Sequence, residues 1–190
     1  MRVPFTFLTP GDDAAAVRSA IDRVIASGWF VLGPEVDAFE AEFAAAARAS
    51  YAVGVGSGTD AIALTLRALD IGPGDEVITT PLSAAFTSLA ILMSGARPVF
   101  ADVDPDRLTL DSGGVAAAVT SRTRAIVPVH LYGQAAEMAE IERVAARHDL
   151  AIVEDCCQAH LATEGGRPVI RSAPEASAWL RACFARIGRP

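Results

Sequence analysis

Along the chain, short apolar runs rich in β-branched residues alternate with segments whose apolar positions recur at helical spacing. The runs lie at 51–55, 76–79, 98–101, 125–129 and 151–155. Between them, helices are predicted near 60–69, 84–93 and 136–147, the last with Met138, Ile141, Val144 and Ala145 at helical spacing. Strands that alternate with helices predict the α/β class, a mainly parallel sheet flanked by helices, because a parallel strand can return only through a crossover. Ahead of the sheet, Asp12 and Asp13 suit the cap of a helix carrying Val17, Ile21, Val24 and Ile25, and Pro34 suits the first turn of another with Val36, Phe39 and Phe43. Both are expected to form an N-terminal layer on the sheet. Gly72-Pro73-Gly74-Asp75 reads as a tight turn entering the second run, and Asp102-Val103-Asp104-Pro105 as a loop leaving the third. There is no internal repeat and no low-complexity segment.

At 190 residues, 52% hydrophobic and 21% charged, the chain is long enough to bury one sizeable core. Its net charge of −7 is spread over short acidic and basic alternations. No basic stripe is available to grip a phosphate backbone, so no nucleic-acid partner is expected. The apolar stretches are broken by Gly, Pro, Asp or Arg well before the length of a membrane span, and Met1-Arg2-Val3-Pro4 begins no charged-then-apolar leader. The expected location is cytoplasmic, with no membrane partner. Cys156, Cys157 and Cys183 form no CxxC pair and no even-numbered framework. The adjacent Cys156 and Cys157 read as buried small hydrophobes at a strand end, with a redox pair as the alternative. His160 reads as incidental rather than as a ligand, and no metal site is expected.

The cations change the picture further: all 16 Lys+Arg residues are arginine, and the chain contains no lysine. A guanidinium stays protonated and is a poor imine-forming nucleophile, so chemistry that begins with a side-chain amine is closed to these 190 residues.

Two places carry candidate chemistry. At Val55-Gly56-Ser57-Gly58-Thr59-Asp60 a run ends in small residues and a helix begins at once, which converges backbone N–H groups and the positive end of a helix on one spot. Gly56 and Gly58 permit close approach, and the Ser57 and Thr59 hydroxyls can donate to phosphate oxygens. The same residues also suit an ordinary strand-to-helix turn capped by Thr59. A dinucleotide fingerprint beginning at Gly54 fails because its third glycine would fall at Thr59, and a Walker loop fails for want of lysine. The second place is Asp155, at the carboxyl end of the fifth run, where α/β sheets bind ligands, with Gln158 three residues on. A carboxylate there suits a protonated ring nitrogen, as in pyridoxal phosphate chemistry, where the ion pair keeps the pyridine cationic and electron-accepting. The alternative is an Asp that caps the turn after the strand.

Read together, these residues and several further blocks resemble the DegT/DnrJ/EryC1/StrS aminotransferases, fold-type I pyridoxal-phosphate enzymes that aminate nucleotide-linked keto-sugars. The blocks are Ser27-Gly28, Gly33-Pro34-Glu35-Val36, Phe39-Glu40, Ser57-Gly58-Thr59-Asp60-Ala61, Gly72 to Ile78, Gly95 to Phe100, Val129-His130-Leu131-Tyr132-Gly133-Gln134 and Glu154 to His160. The resemblance implies that residues 1–169 are part of the family's large domain, and that the cofactor is pyridoxal 5'-phosphate. It also implies that Gly58 and Thr59, with Ser57 beside them, hold the phosphate, that Asp155 pairs with the pyridine nitrogen, and that Gln158 lies near the ring hydroxyl. At the ring-stacking position the closest alignment places Ala84, with Phe86 as a shifted candidate. The implied partners are a nucleotide-sugar substrate, an amino donor and a second copy of the chain in a homodimer.

After Gly165-Gly166-Arg167-Pro168-Val169 the pattern departs from the family. The family continues into a block bearing the Schiff-base lysine and a second domain, whereas 170–190 is a divergent tail with a predicted short helix carrying Trp179, Leu180, Cys183 and Phe184. A shifted frame or rearrangement near Ile170 is the expected origin, and covalent attachment of the cofactor through lysine is closed to this chain. The resulting expectation is an aminotransferase by ancestry, inactive as this polypeptide. Two alternatives are a non-catalytic remnant or partner-binding subunit, and a lysine-independent dehydratase-like protein that uses pyridoxamine phosphate.

Overall fold

A computed structural model describes residues 11–160, 162–164, 167–168 and 181–182. Contacts divide the chain into two units, Met1–Phe39 and Glu40–Pro190. The first contains α1 (Ala14–Ser27) and the opening of α2 (Pro34–Ala46). α1 stops at Gly28, whose left-handed backbone (φ 66°) turns its N–H back to the Val24 and Ile25 carbonyls. Asp13 occupies the N-cap position without a side-chain cap bond. Pro34 is the first residue of α2, where a missing N–H is no loss. Arg23 grips Glu35 with two parallel bonds, Nε to Oε1 at 2.5 Å and Nη2 to Oε2 at 3.0 Å. The apolar positions Val17, Ile21 and Ile25 are present at helical spacing, yet no residue of α1 is buried.

The second unit is built on a parallel sheet in the order β2-β1-β3-β4, comprising β1 (Glu76–Thr79), β2 (Arg97–Phe100), β3 (Thr123–Val127) and β4 (Ala151–Ile152). α3 (Gly58–Ala68) precedes β1, and α4 (Phe86–Ser94), α5 (Ser112–Ala118) and α6 (Met138–His148) connect successive strands. Alternate strand residues feed two separate cores, as a two-residue side-chain period requires. Val77, Ala125 and Val127 pack with Ala61, Ile62 and Leu66 of α3 and Ala90 and Ile91 of α4. Ile78 and Ile126 pack with Val115 of α5 and with Met138, Ile141 and Val144 of α6. Helices therefore cover both faces, and the α/β expectation holds.

One charge is built into this core. The Glu76 carboxylate, buried at the start of β1, accepts from Arg97 Nη2 at 2.5 Å, Thr120 Oγ1 at 2.7 Å and Arg122 Nε at 2.8 Å. The Arg97 bond, then the Thr120 bond, outweighs desolvation and holds its pKa down at about 2.

Several expectations need correction. Residues 51–55 form no strand, and the Gly54 N–H donates instead to the Glu40 carboxylate at 2.6 Å, so a side chain satisfies what a ladder would have. The run at 151–155 divides at Val153 into β4 and β5 (Glu154–Asp155). α4 begins at Phe86 rather than at 84. α5 was not expected, and two glycines in its first turn weaken its helical pattern; its start is fixed by Asp111, whose carboxylate accepts the Gly114 N–H at 2.6 Å. The 72–75 turn is as expected, closed by Asp75 N–H to the Gly72 carbonyl at 3.0 Å. Beyond the sheet, β6 (Thr163–Glu164) and β7 (Arg167–Pro168) pair antiparallel, and β8 (Arg181–Ala182) runs parallel to β5. Trp179, Leu180, Cys183 and Phe184 lie outside the described residues, and the two residues between them are strand rather than helix. No helix among the described residues is long and apolar enough to cross a membrane.

Candidate functional site

The site collects at the carboxyl ends of the strands and at the start of α3. Ser57 caps α3: its Oγ accepts the Asp60 N–H at 3.1 Å and donates to Asp60 Oδ2 at 2.7 Å. The cap is thus Ser57 rather than Thr59, and the Ser57 hydroxyl is already engaged. Gly58 and Thr59 open the helix with N–H groups that have no intrahelical acceptor.

A contact between distant segments ties this loop to the end of β5. A Cβ placed on Gly58 would stand 3.0 Å from the Cys157 sulfur, so only glycine lets the loop approach this closely without the thiol giving way. Of the two described cysteines, Cys156 is buried as expected, but Cys157 is exposed on this turn; Cys183 lies outside the described residues.

Asp155 is held at four points. Its N–H donates to the Pro128 carbonyl at 2.9 Å, and its carbonyl accepts the His130 N–H at 3.0 Å, which extends the sheet by one rung beyond β3. Its carboxylate accepts from Thr87 Oγ1 at 2.7 Å and from the Cys157 N–H at 3.2 Å. Asp155 is only 6% exposed, and among the described residues no cation pairs with it. A buried carboxylate with neutral donors alone is an incomplete arrangement, and a protonated ring nitrogen is the kind of group that completes it.

Gln158 is exposed, and its Oε1 accepts the Tyr132 N–H at 3.1 Å. That bond orients the amide. It also anchors the short 3-10 turn Leu131–Gly133, in which Tyr132 takes a left-handed backbone (φ 55°) with its residue 77% exposed. Phe86, 63% exposed, is the first residue of α4 and immediately precedes Thr87. Ala84 is exposed in the segment before that helix.

Behind Asp155 lies a buried support. His130 Nδ1 accepts the Ala136 N–H at 2.9 Å, which leaves its proton on Nε2, 3.0 Å from Glu154 Oε2. Cys156 joins them, so three ligand-type atoms lie within 4.8 Å. A metal on Nε2 would require the proton on Nδ1, where a backbone N–H already donates, so the cluster reads as a hydrogen-bonded brace. His160 is exposed on the turn after Asp155.

Sequence reasoning brought out Gly58, Thr59, Asp155 and Gln158 but assigned no role to Thr87, His130 or Tyr132. The available signal for Thr87 was a pair of hydroxyls, with Ser88, in the first turn of a largely apolar helix, and for His130 an imidazole directly after an apolar run.

Residues 12–177 match the model of the DegT/DnrJ/EryC1/StrS aminotransferase family. The chain is 46% identical over 153 residues to a pleiotropic regulatory protein of Geobacillus stearothermophilus, covering 80% of this chain and 41% of that protein. It is 48% identical over 170 residues to the dTDP-3-amino-3,4,6-trideoxy-alpha-D-glucose transaminase of Streptomyces venezuelae, covering 88% of this chain and 45% of that enzyme. Among solved structures, S. venezuelae DesV in complex with a ketimine intermediate superposes with a TM-score of 0.76 at 50% identity, over 78% of this chain and 40% of that one. The chain thus spans less than half the length of these relatives.

Proposed function

Since the chain belongs to the DegT/DnrJ/EryC1/StrS aminotransferase family, we propose that it forms the cofactor-holding part of a pyridoxal-5'-phosphate-dependent aminotransferase that acts on nucleotide-linked keto-sugars. The observation that carries this reading is Asp155, a buried carboxylate with two neutral donors and no cationic partner among the described residues. The fit extends to the start of α3, where Gly58 and Thr59 offer backbone N–H groups and a helix end to a phosphate, beside the turn that carries Cys157.

Each residue then has a defined task. Gly58 and Thr59 bind the phosphate, while Ser57 shapes the loop through Asp60. Asp155 holds a proton on the ring nitrogen, Gln158 sits near the ring hydroxyl, and Phe86 is the candidate to cover the ring. The cofactor, when bound, supplies an electron-withdrawing pyridinium that stabilises negative charge at the substrate carbon. No residue of this chain offers the amine that would move the proton at that carbon, because all its Lys+Arg residues are arginine. The amino donor is glutamate or a similar amino acid, and the sugar substrate carries a nucleoside diphosphate like that in the name of the Streptomyces relative. The working state is a cytoplasmic homodimer without nucleic-acid or membrane partners.

Titration of the chain with pyridoxal 5'-phosphate, followed by cofactor absorbance, tests the reading. Saturable binding is expected, weakened at least about tenfold in Asp155→Ala, the scale of one charged hydrogen-bonded partner. A folded sample that leaves the spectrum unchanged would contradict it.

A further inference from the structure

The cofactor reading gives Asp155 a task but does not explain what aims its carboxylate. Two side-chain bonds do this. Of them, the Cys157 N–H bond at 3.2 Å comes from the backbone two residues along and is local, whereas the Thr87 bond at 2.7 Å spans 68 residues and is buried. We propose that Thr87 is a positioning residue for the cofactor site, its hydroxyl fixing the Asp155 carboxylate so that the remaining acceptor capacity meets the ring nitrogen of the bound pyridine. The inference rests on the cofactor reading above.

Three observations carry it. First, Thr87 sits in the opening turn of α4, and its hydroxyl donates to a carboxylate on another element rather than to backbone nearby. Second, α4 buries two polar side chains, Thr87 at 2% exposed and Ser94, and Ser94 bonds back to the Ile91 carbonyl, so Thr87 is the buried hydroxyl that α4 directs across to β5. Third, the Thr87 hydroxyl donates and the Asp155 carboxylate accepts at Oδ2, which leaves the carboxylate further acceptor capacity for a donor from outside the chain. The backbone of Asp155 is independently pinned by Pro128 and His130, which leaves side-chain torsion as the freedom that Thr87 removes. In this account Thr87 never touches the substrate; it acts only through Asp155.

The test compares the wild-type chain with Thr87→Val, which keeps the shape and removes the hydroxyl, Thr87→Ser, which restores the donor, and Asp155→Ala. All are checked for native far-ultraviolet circular dichroism and titrated with pyridoxal 5'-phosphate. The second readout is the nitrogen-15 resonance of ring-labelled cofactor, which reports whether the pyridine nitrogen is protonated and which a merely structural role for Thr87 would not move. Thr87→Val is expected to bind about tenfold more weakly and to move the resonance toward the neutral pyridine, with Thr87→Ser returning both toward wild type. If Thr87→Val matches wild type in affinity and resonance while Asp155→Ala is impaired, the Thr87 role is overturned and the cofactor reading stands. If the wild-type chain does not bind, or Asp155→Ala binds equally well, the cofactor reading itself fails and this role with it.

Discussion

Gly58 shows how a single missing methyl can shape a site. The Cβ absent there would stand 3.0 Å from the Cys157 sulfur, at the limit of what real side chains tolerate, and the sulfur is the end of a short, movable group. Alanine at 58 therefore costs stability through one identifiable neighbour, not through backbone strain. Gly58→Ala is expected to destabilise the fold by about 1 kcal/mol, and Cys157→Ala to relieve most of that cost, because the two changes act on one contact. Urea denaturation of the two single variants and the double variant measures the coupling. Additive effects would show that the loop and the turn after β5 do not press on each other. The same scale explains why Ser57 rather than Thr59 caps α3. Both hydroxyls are equivalent on paper, but Asp60 three residues after Ser57 completes a reciprocal cap that Thr59 has no partner to form.

At the scale of elements, β1 is joined to its neighbours by charge as well as by ladder bonds. Glu76 on β1 collects Arg97 from β2 and Arg122 and Thr120 from the turn before β3. Its folded pKa, about 2, lies below the usual 4.5, so the unfolded chain binds this proton more readily than the folded one. The contribution is therefore complete above about pH 4.5 and is lost as pH falls toward 2. Denaturation midpoints should show the wild type more stable than Glu76→Gln at pH 6, with the gap narrowing as pH drops to 3. A gap independent of pH would remove the ionised carboxylate from the account. Much of this layer was legible in the sequence. The runs at 76–79, 98–101 and 125–129 became β1, β2 and β3 within a residue or two, because apolar β-branched runs between helical patterns have few other uses. The run at 51–55 carried the same signature but failed as a strand, since Glu40 satisfies the Gly54 N–H. α5 was hidden by its glycines, and the Asp111 cap that starts it shows only in the structure. The place of Asp155 at a strand end was legible from the apolar run before it, whereas its bond to Thr87 was not, because the two lie 68 residues apart.

For the whole molecule, the second unit places every site residue on one framework: the start of α3, the start of α4, and the turns after β3 and β5. The two cores on either face of the sheet hold those ends in register. Chemistry at the substrate is a different requirement. The chain spans less than half the length of its relatives and has no lysine. A crystal structure of the chain with pyridoxal 5'-phosphate tests the central claim most directly. The phosphate is predicted at the Gly58 and Thr59 N–H groups, with the ring nitrogen against the Asp155 carboxylate and Thr87 still bonded behind it. Cofactor bound elsewhere, or at α3 with its ring nitrogen turned away from Asp155, would contradict the account.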